Sequence, residues 1–175
     1  VMMLYSLNTS IPRFVLERYY GEGELGIFAS MAYLLTAGVM VISALGQSTS
    51  PRLAQHYANT QLCAFRELFF RLLGVGTFMG VIGVLVSMVA GQELLTLFYT
   101  AEYAENADVL VLIMISAGIT YLTMFMGYSM TATRHLRIQL LLFAGTTATT
   151  TIASLVLIPD YGLQGAGLAL IAGAA

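Results

Sequence analysis

The sequence predicts an all-α fold, a polytopic bundle of membrane-crossing helices. Three observations predict it. The 175 residues are 58% hydrophobic and only 9% charged, with a mean hydropathy of +0.83, whereas a soluble domain carries about 25% charged residues. The charges fall in five short clusters rather than along the whole chain. Between the clusters, residues 25–51, 72–92, 109–133 and 138–159 contain no Asp, Glu, Lys or Arg. A helix needs about 20 residues to cross a hydrocarbon core of about 30 Å, and each of these stretches is long enough. Barrel strands need only about 9–11 residues and alternate in polarity. Runs of this length satisfy their backbone groups in lipid only as helices.

The elements follow in order. Residues 1–20 read as a span truncated at its start, and residues 165–175 as the first part of another. The four full spans lie between them, so residues 1–175 form one membrane-embedded bundle, expected to be an internal piece of a longer membrane protein. The 25–51 span is long enough to tilt or to project from the core. Residues 60–71 are amphipathic, with Leu62, Phe65, Phe69 and Leu72 at helical spacing. They fit either a short helix lying at the interface or a simple extension of the next span. Tyr20-Gly21-x4-Gly26 recurs as Tyr161-Gly162-x4-Gly167. A duplicated half would give this, as would one local solution used twice, a helix-ending glycine followed by a close-packing one. Gly76-x3-Gly80 is a close-packing signal on the third span.

The cluster signs alternate. Residues 12–24 carry a net −1, 52–71 a net +2, 92–108 a net −4, 134–137 a net +2, and Asp160 a net −1. Lysine is absent, and five of the seven arginines lie in 52–71 and 134–137. The positive-inside rule therefore puts those two loops in the cytoplasm and the other three outside. Tyr19, Tyr20, Tyr99, Tyr103 and Tyr161 then form an aromatic belt at the outer interface.

The first helix carries the main functional signal. On a wheel of about 100° per residue centred on Ser6, Thr9, Ser10, Arg13 and Glu17 fall within about −60° to +40°. A helix ending near Gly21 puts Arg13 about 11 Å below its end. An ionisable residue at that depth faces a water-filled cavity or a partner, or its charge snorkels to the surface. Arg13 and Glu17, spaced i,i+4, are placed to pair, and Pro12 invites a kink there. Arg18 fits an interfacial anchor at least as well as a substrate ligand. Polar stripes on later spans (Tyr33, Thr36, Ser43, Gln47; Ser116, Thr120, Thr123, Thr131; Thr147, Thr150, Thr151, Ser154) suit back-bonding hydroxyls and helix packing. Gln47 stands apart, because its amide satisfies itself less easily. The candidate substrate path is therefore Ser10, Arg13, Glu17, Arg18 and Gln47.

The exclusions are broad. The composition excludes an ordinary soluble enzyme, a disordered tail and a nucleic-acid binder, which needs a basic surface. A single cysteine, Cys63, excludes a disulfide framework. No catalytic constellation or cofactor motif is present. His56 and His135 lack metal-ligand spacing, and Glu102, Glu105 and Asp108 read most simply as an acidic outer loop.

Several stretches together resemble a known family. They are Asn8-Thr9-Ser10-Ile11-Pro12-Arg13, Tyr20-Gly21-Glu22-x-x-Leu25-Gly26-Ile27-Phe28-Ala29-x-x-Ala32-Tyr33 and Ala44-Leu45-Gly46-Gln47-x3-Pro51-Arg52-Leu53-Ala54. Tyr99-x-x-Glu102-Tyr103-Ala104 and Ile158-Pro159-x-Tyr161-Gly162-Leu163-x-Gly165-Ala166 complete the set. The ensemble resembles the bacterial O-antigen and exopolysaccharide flippases of the multidrug/oligosaccharide-lipid/polysaccharide exporter superfamily, over essentially the whole chain. The resemblance implies the second bundle of a two-bundle exporter fold. The implied activity is translocation of a polyprenyl-diphosphate-linked oligosaccharide across the bacterial cytoplasmic membrane by alternating access. It implies that substrate and membrane lipids as partners, and leaves open polysaccharide-assembly machinery and a coupling ion. Arginine suits a diphosphate, and amides such as Gln47 suit sugar hydroxyls. A cation-coupled drug antiporter of the same superfamily is the alternative, with Glu17 as its one embedded carboxylate. A membrane-embedded polysaccharide polymerase or transferase fits less well, since no group of catalytic acids is present.

Overall fold

A computed structural model of the chain describes residues 2–98, 106–134 and 136–174, with side chains from Ser10 onward and none at 97–98. Tyr99, Glu102, Tyr103, Glu105 and His135 lie outside the described residues, as do the side chains of Ser6 and Thr9. The described residues form an all-α membrane bundle of five helical runs: α1 Met2–Tyr20, α2 Glu22–Ala58, α3 Leu62–Phe98, α4 Ala107–Ala132 and α5 Leu136–Ala174. Four of them, α2 to α5, are long and apolar enough to cross a membrane.

Residues 60–71 do not form a separate interfacial helix. Leu62 onward belongs to α3, a single helix of 37 residues, which at about 1.5 Å per residue is about 55 Å long. α2 has the same length, so the α2–α3 hairpin outreaches a 30 Å core. Its turn is closed by His56 Nδ1 and Gln61 Oε1 at 2.9 Å. α1 stays helical through Pro12, whose side is buried.

The last run is two arms. Gly162 has φ 56° and ψ −127°, a conformation that only glycine adopts without strain. A methyl group on Gly165 would meet the backbone of Leu157 and Ile158, so the chain reverses there and residues 163–174 return beside α4. The hydroxyl of Thr123 donates to the Ala174 carbonyl at 3.1 Å. This separates the helix into two arms, one before Gly162 and one running from 163 to 174. Gly21, in the matching motif, also has a positive φ of 85°. The two Tyr-Gly turns pack together. The Tyr20 hydroxyl donates to the Pro159 carbonyl at 3.1 Å, and the Tyr20 ring lies 3.4 Å from where a Gly162 Cβ would stand.

The core is centred on α4, which packs against α2, α3 and α5. Phe28, Met31, Ile42, Leu53, Leu110, Ile113, Phe125 and Ile158 are fully buried within it. Small residues set the close approaches. On α3, Gly80 crosses Gly118 of α4, where a Gly80 Cβ would stand 2.7 Å from the Gly118 Cα. One turn away, Gly76 takes the Phe125 ring, as the Gly-x3-Gly spacing predicts. On α2, Gly38 and Gly46 receive Tyr121 and Tyr128 of α4, leaving no room for a Cβ at either. α4 and α5 are pinned near their connecting turn. Gln139, buried, donates from Nε2 to the Gly127 carbonyl at 3.1 Å and accepts at Oε1 from Thr131, also at 3.1 Å.

Candidate functional site

The candidate site residues lie on two stripes, one on α1 and one on α2. In α1 the buried positions are Pro12 and Leu16, four residues apart and so on one stripe. Stepping about 100° per residue from Pro12, Arg13, Glu17 and Ser10 fall at about 100–160°, on the flank of that stripe. Ser10 and Arg13 are half-buried, while Glu17 and Arg18 are exposed. The expected Arg13–Glu17 pair does not form. Among the described residues the ion pair is Arg71–Glu67. The reason is directional: the Arg13 stem is drawn into the packed side, burying Nε, whereas the Glu17 side chain stays exposed.

That Nε is secluded and has no hydrogen-bond partner. Ser154 Oγ, on the first arm of α5, is the other such atom among the described residues. A secluded donor without an acceptor costs about 1–3 kcal/mol, more when charged. Arg13 therefore carries an unmet hydrogen-bonding demand.

On α2, Gln47 is exposed and Tyr33 is 65% exposed. They end a stripe that composition did not mark: Tyr33, Ala37, Met40, Ala44 and Gln47 are all exposed, spaced 4-3-4-3. That is one helix face, with small side chains between two polar ends. The outward face of α3 differs in kind: it exposes Phe78, Val81, Leu85 and Val89. Bulky aliphatic side chains suit lipid tails. Two arginines' worth of charge, a carboxylate, a phenol and an amide do not.

The remaining stripes bond to their own helices. Thr36 donates to the Ala32 carbonyl, Thr120 to Ser116, Thr147 to Phe143 and Thr151 to Thr147, at 2.7–3.0 Å. This is the packing role expected of them. Beneath the α4 and α5 hydroxyls a small cavity of about 50 Å³ is lined by Ser116, Thr120, Thr123, Thr146, Leu35 and Leu170. It has room for one or two waters and no larger ligand. No group of three His, Cys, Asp or Glu converges as a metal-ligand set among the described residues.

Comparison with known proteins gives one informative relative. The chain is similar to a capsular polysaccharide biosynthesis protein, CapF, of Staphylococcus aureus. The two are 34% identical over 174 residues, which cover 95% of this chain and 42% of CapF. The chain thus spans less than half the length of the curated relative it matches. No protein-family model matches it, and no solved structure does. By architecture the chain is a multi-pass helical membrane protein, and by sequence it is similar to a protein of polysaccharide biosynthesis.

Proposed function

We propose that the chain forms one bundle of a transporter. Its cargo is a polyprenyl-diphosphate-linked oligosaccharide, moved across the bacterial cytoplasmic membrane by alternating access. The protein works in polysaccharide biosynthesis by transport rather than covalent chemistry. The observation that carries this reading is the contrast between faces. α3 exposes bulky aliphatic and aromatic residues, while α1 exposes Glu17 and Arg18, and α2 exposes Tyr33 and Gln47 on a stripe with Ala37, Met40 and Ala44. Such faces need a water-filled cavity or a second bundle. The similarity to CapF supports the glycan class, and more of CapF lies outside the match than inside it. Arg13, with its secluded and unmet donor, is the group for the anionic diphosphate. Gln47 and Ser10 offer hydrogen bonds to sugar hydroxyls. The Arg-rich loops 52–71 and 134–137 face the cytoplasm in this reading.

The test is complementation. The full-length protein is placed in a bacterium lacking its own polysaccharide flippase, and surface polysaccharide is scored at matched membrane levels. Wild type restores surface polysaccharide, and Arg13→Ala abolishes the restoration. Restoration by both variants would remove Arg13 from the path. Failure of the wild type, with any donor glycan tried, would count against the flippase.

One observation favours a second reading, the cation-coupled antiporter. Glu17 is exposed and makes no ion pair among the described residues, which suits a carboxylate that exchanges cations. Glu17→Gln separates the two: it stops a cation-coupled antiporter and leaves glycan translocation by the flippase at half or more of wild type.

A further inference from the structure

The arginines of the end opposite Tyr20 form a layer. Three contacts fix the relative depth of the helices there. Gly46 of α2 lies under Tyr128, Gly76 of α3 meets Phe125, and Gln139 of α5 bonds to Gly127. Arg52 lies six residues beyond Gly46, and Arg134 six beyond Tyr128, so both stand at one depth. Counting from the other two contacts at about 1.5 Å per residue, Arg66, Arg71 and Arg137 fall within the same slab, about 9 Å deep. The one acid at this end is Glu67, and it is taken by Arg71. Arg52, Arg66, Arg134 and Arg137 are exposed and, among the described residues, have no carboxylate within ion-pair range.

A second feature marks Arg134, and Thr60 of the α2–α3 turn shares it. The φ of Arg134 is +61°, the left-handed region where a non-glycine residue is strained. Glycine would close this turn more easily. Exposed Phe70 and Leu136 lie at the same depth, beside the guanidinium layer. A ligand that fits must have an anionic head for the arginines and an apolar tail for these two side chains.

We propose that this layer is a binding site for the phosphate of anionic phospholipids in the leaflet it faces. Arg52 and Arg134 supply exposed guanidinium forks at one depth. Planar forks match phosphate oxygens in pairs, and basic groups at this depth add attraction for anionic headgroups. The site is separate from the α1 and α2 stripes and does not rest on the transport reading.

Native mass spectrometry of the delipidated full-length protein, titrated with defined lipids, tests it. Phosphatidylglycerol should bind about tenfold or more tightly than phosphatidylcholine, and millimolar inorganic phosphate should not displace it. Arg52→Gln combined with Arg134→Gly should abolish the preference. Arg134→Gly relieves the backbone strain, so that variant should melt no lower than wild type, which separates lost binding from lost folding. Arg71→Gln, at the ion-paired position, should keep the preference. Equal retention of the two lipids, displacement by inorganic phosphate, or an unchanged preference in the double variant would each overturn the proposal.

Discussion

Gly80→Ala should weaken the bundle at its closest helix crossing, and Gly118→Ala should not. The asymmetry comes from the geometry. A methyl carbon on Gly80 would stand 2.7 Å from the Gly118 Cα, but one on Gly118 would stand 3.3 Å from the Gly80 Cα. Carbon atoms prefer about 3.5–4.0 Å. The first substitution must part α3 from α4 by about 1 Å, and the second by a few tenths. A gap of about 0.5–1 Å forfeits a quarter to a half of each dispersion contact nearby. With about 0.1–0.2 kcal/mol per atom pair and a few tens of pairs at the crossing, Gly80→Ala loses about 1–3 kcal/mol, the usual range for overpacking. Alanine's helix preference of about 1 kcal/mol over glycine acts at both positions, so the net loss for Gly80→Ala is about 0–2 kcal/mol, while Gly118→Ala is neutral to slightly stabilising. The assay is the thermal midpoint of monodispersity for the full-length protein in detergent. Gly74→Ala is the control, since nothing lies within 4 Å of its Cβ position. Equal midpoints for Gly80→Ala and Gly118→Ala, or no loss from Gly80→Ala relative to the Gly74→Ala control, would refute the crossing geometry.

Other outcomes follow from the same contacts. Gly162→Ala should lower the midpoint by more than Tyr20→Phe, because it strains a φ of 56° where a non-glycine residue loses about 1–3 kcal/mol. Tyr20→Phe removes one hydrogen bond to Pro159, a net of about 0.5–1.5 kcal/mol. The same thermal assay ranks them. Gln139→Leu should cost about 1 kcal/mol by breaking the Thr131 and Gly127 bonds, since interhelical polar contacts in membranes average somewhat below that. Cys63 is exposed in the α2–α3 hairpin. With Cys63 as the sole cysteine, an impermeant maleimide should label it in inside-out vesicles and not in right-side-out ones; the reverse would invert the orientation.

The fold was largely legible because the bilayer imposes a simple rule on sequence. Charge-free stretches must be helices of spanning length; 25–51, 72–92 and 138–159 fall inside observed helices, and 109–133 does so but for its last residue, the C-cap Thr133. The Tyr-Gly motifs were legible as turns, since glycine is the residue that relieves a positive φ, and both Gly21 and Gly162 have one. What periodicity does not carry is which neighbour a face meets. Gly38 and Gly46 are ordinary small residues until Tyr121 and Tyr128 are set against them. Gln139 is two residues from an arginine and reads as interfacial, yet it is buried as a clasp. The site was legible only in its ingredients. The i,i+4 spacing of Arg13 and Glu17 permits a pair, but spacing does not say that packing against α5 draws one side chain inward and leaves the other out. The same limit hides the alanine seam on α2. Ala37 and Ala44 carry no polarity for a sequence pattern to register, and their meaning comes from contrast. They stand where α3 places valine, leucine and phenylalanine, so this face of α2 is shaped for close approach by something other than lipid. A chain selected only to dissolve in the bilayer would gain by bulky aliphatic residues there. Keeping alanines between a phenol and an amide on α2, and Arg13 and Glu17 on α1, fits faces that meet water or protein.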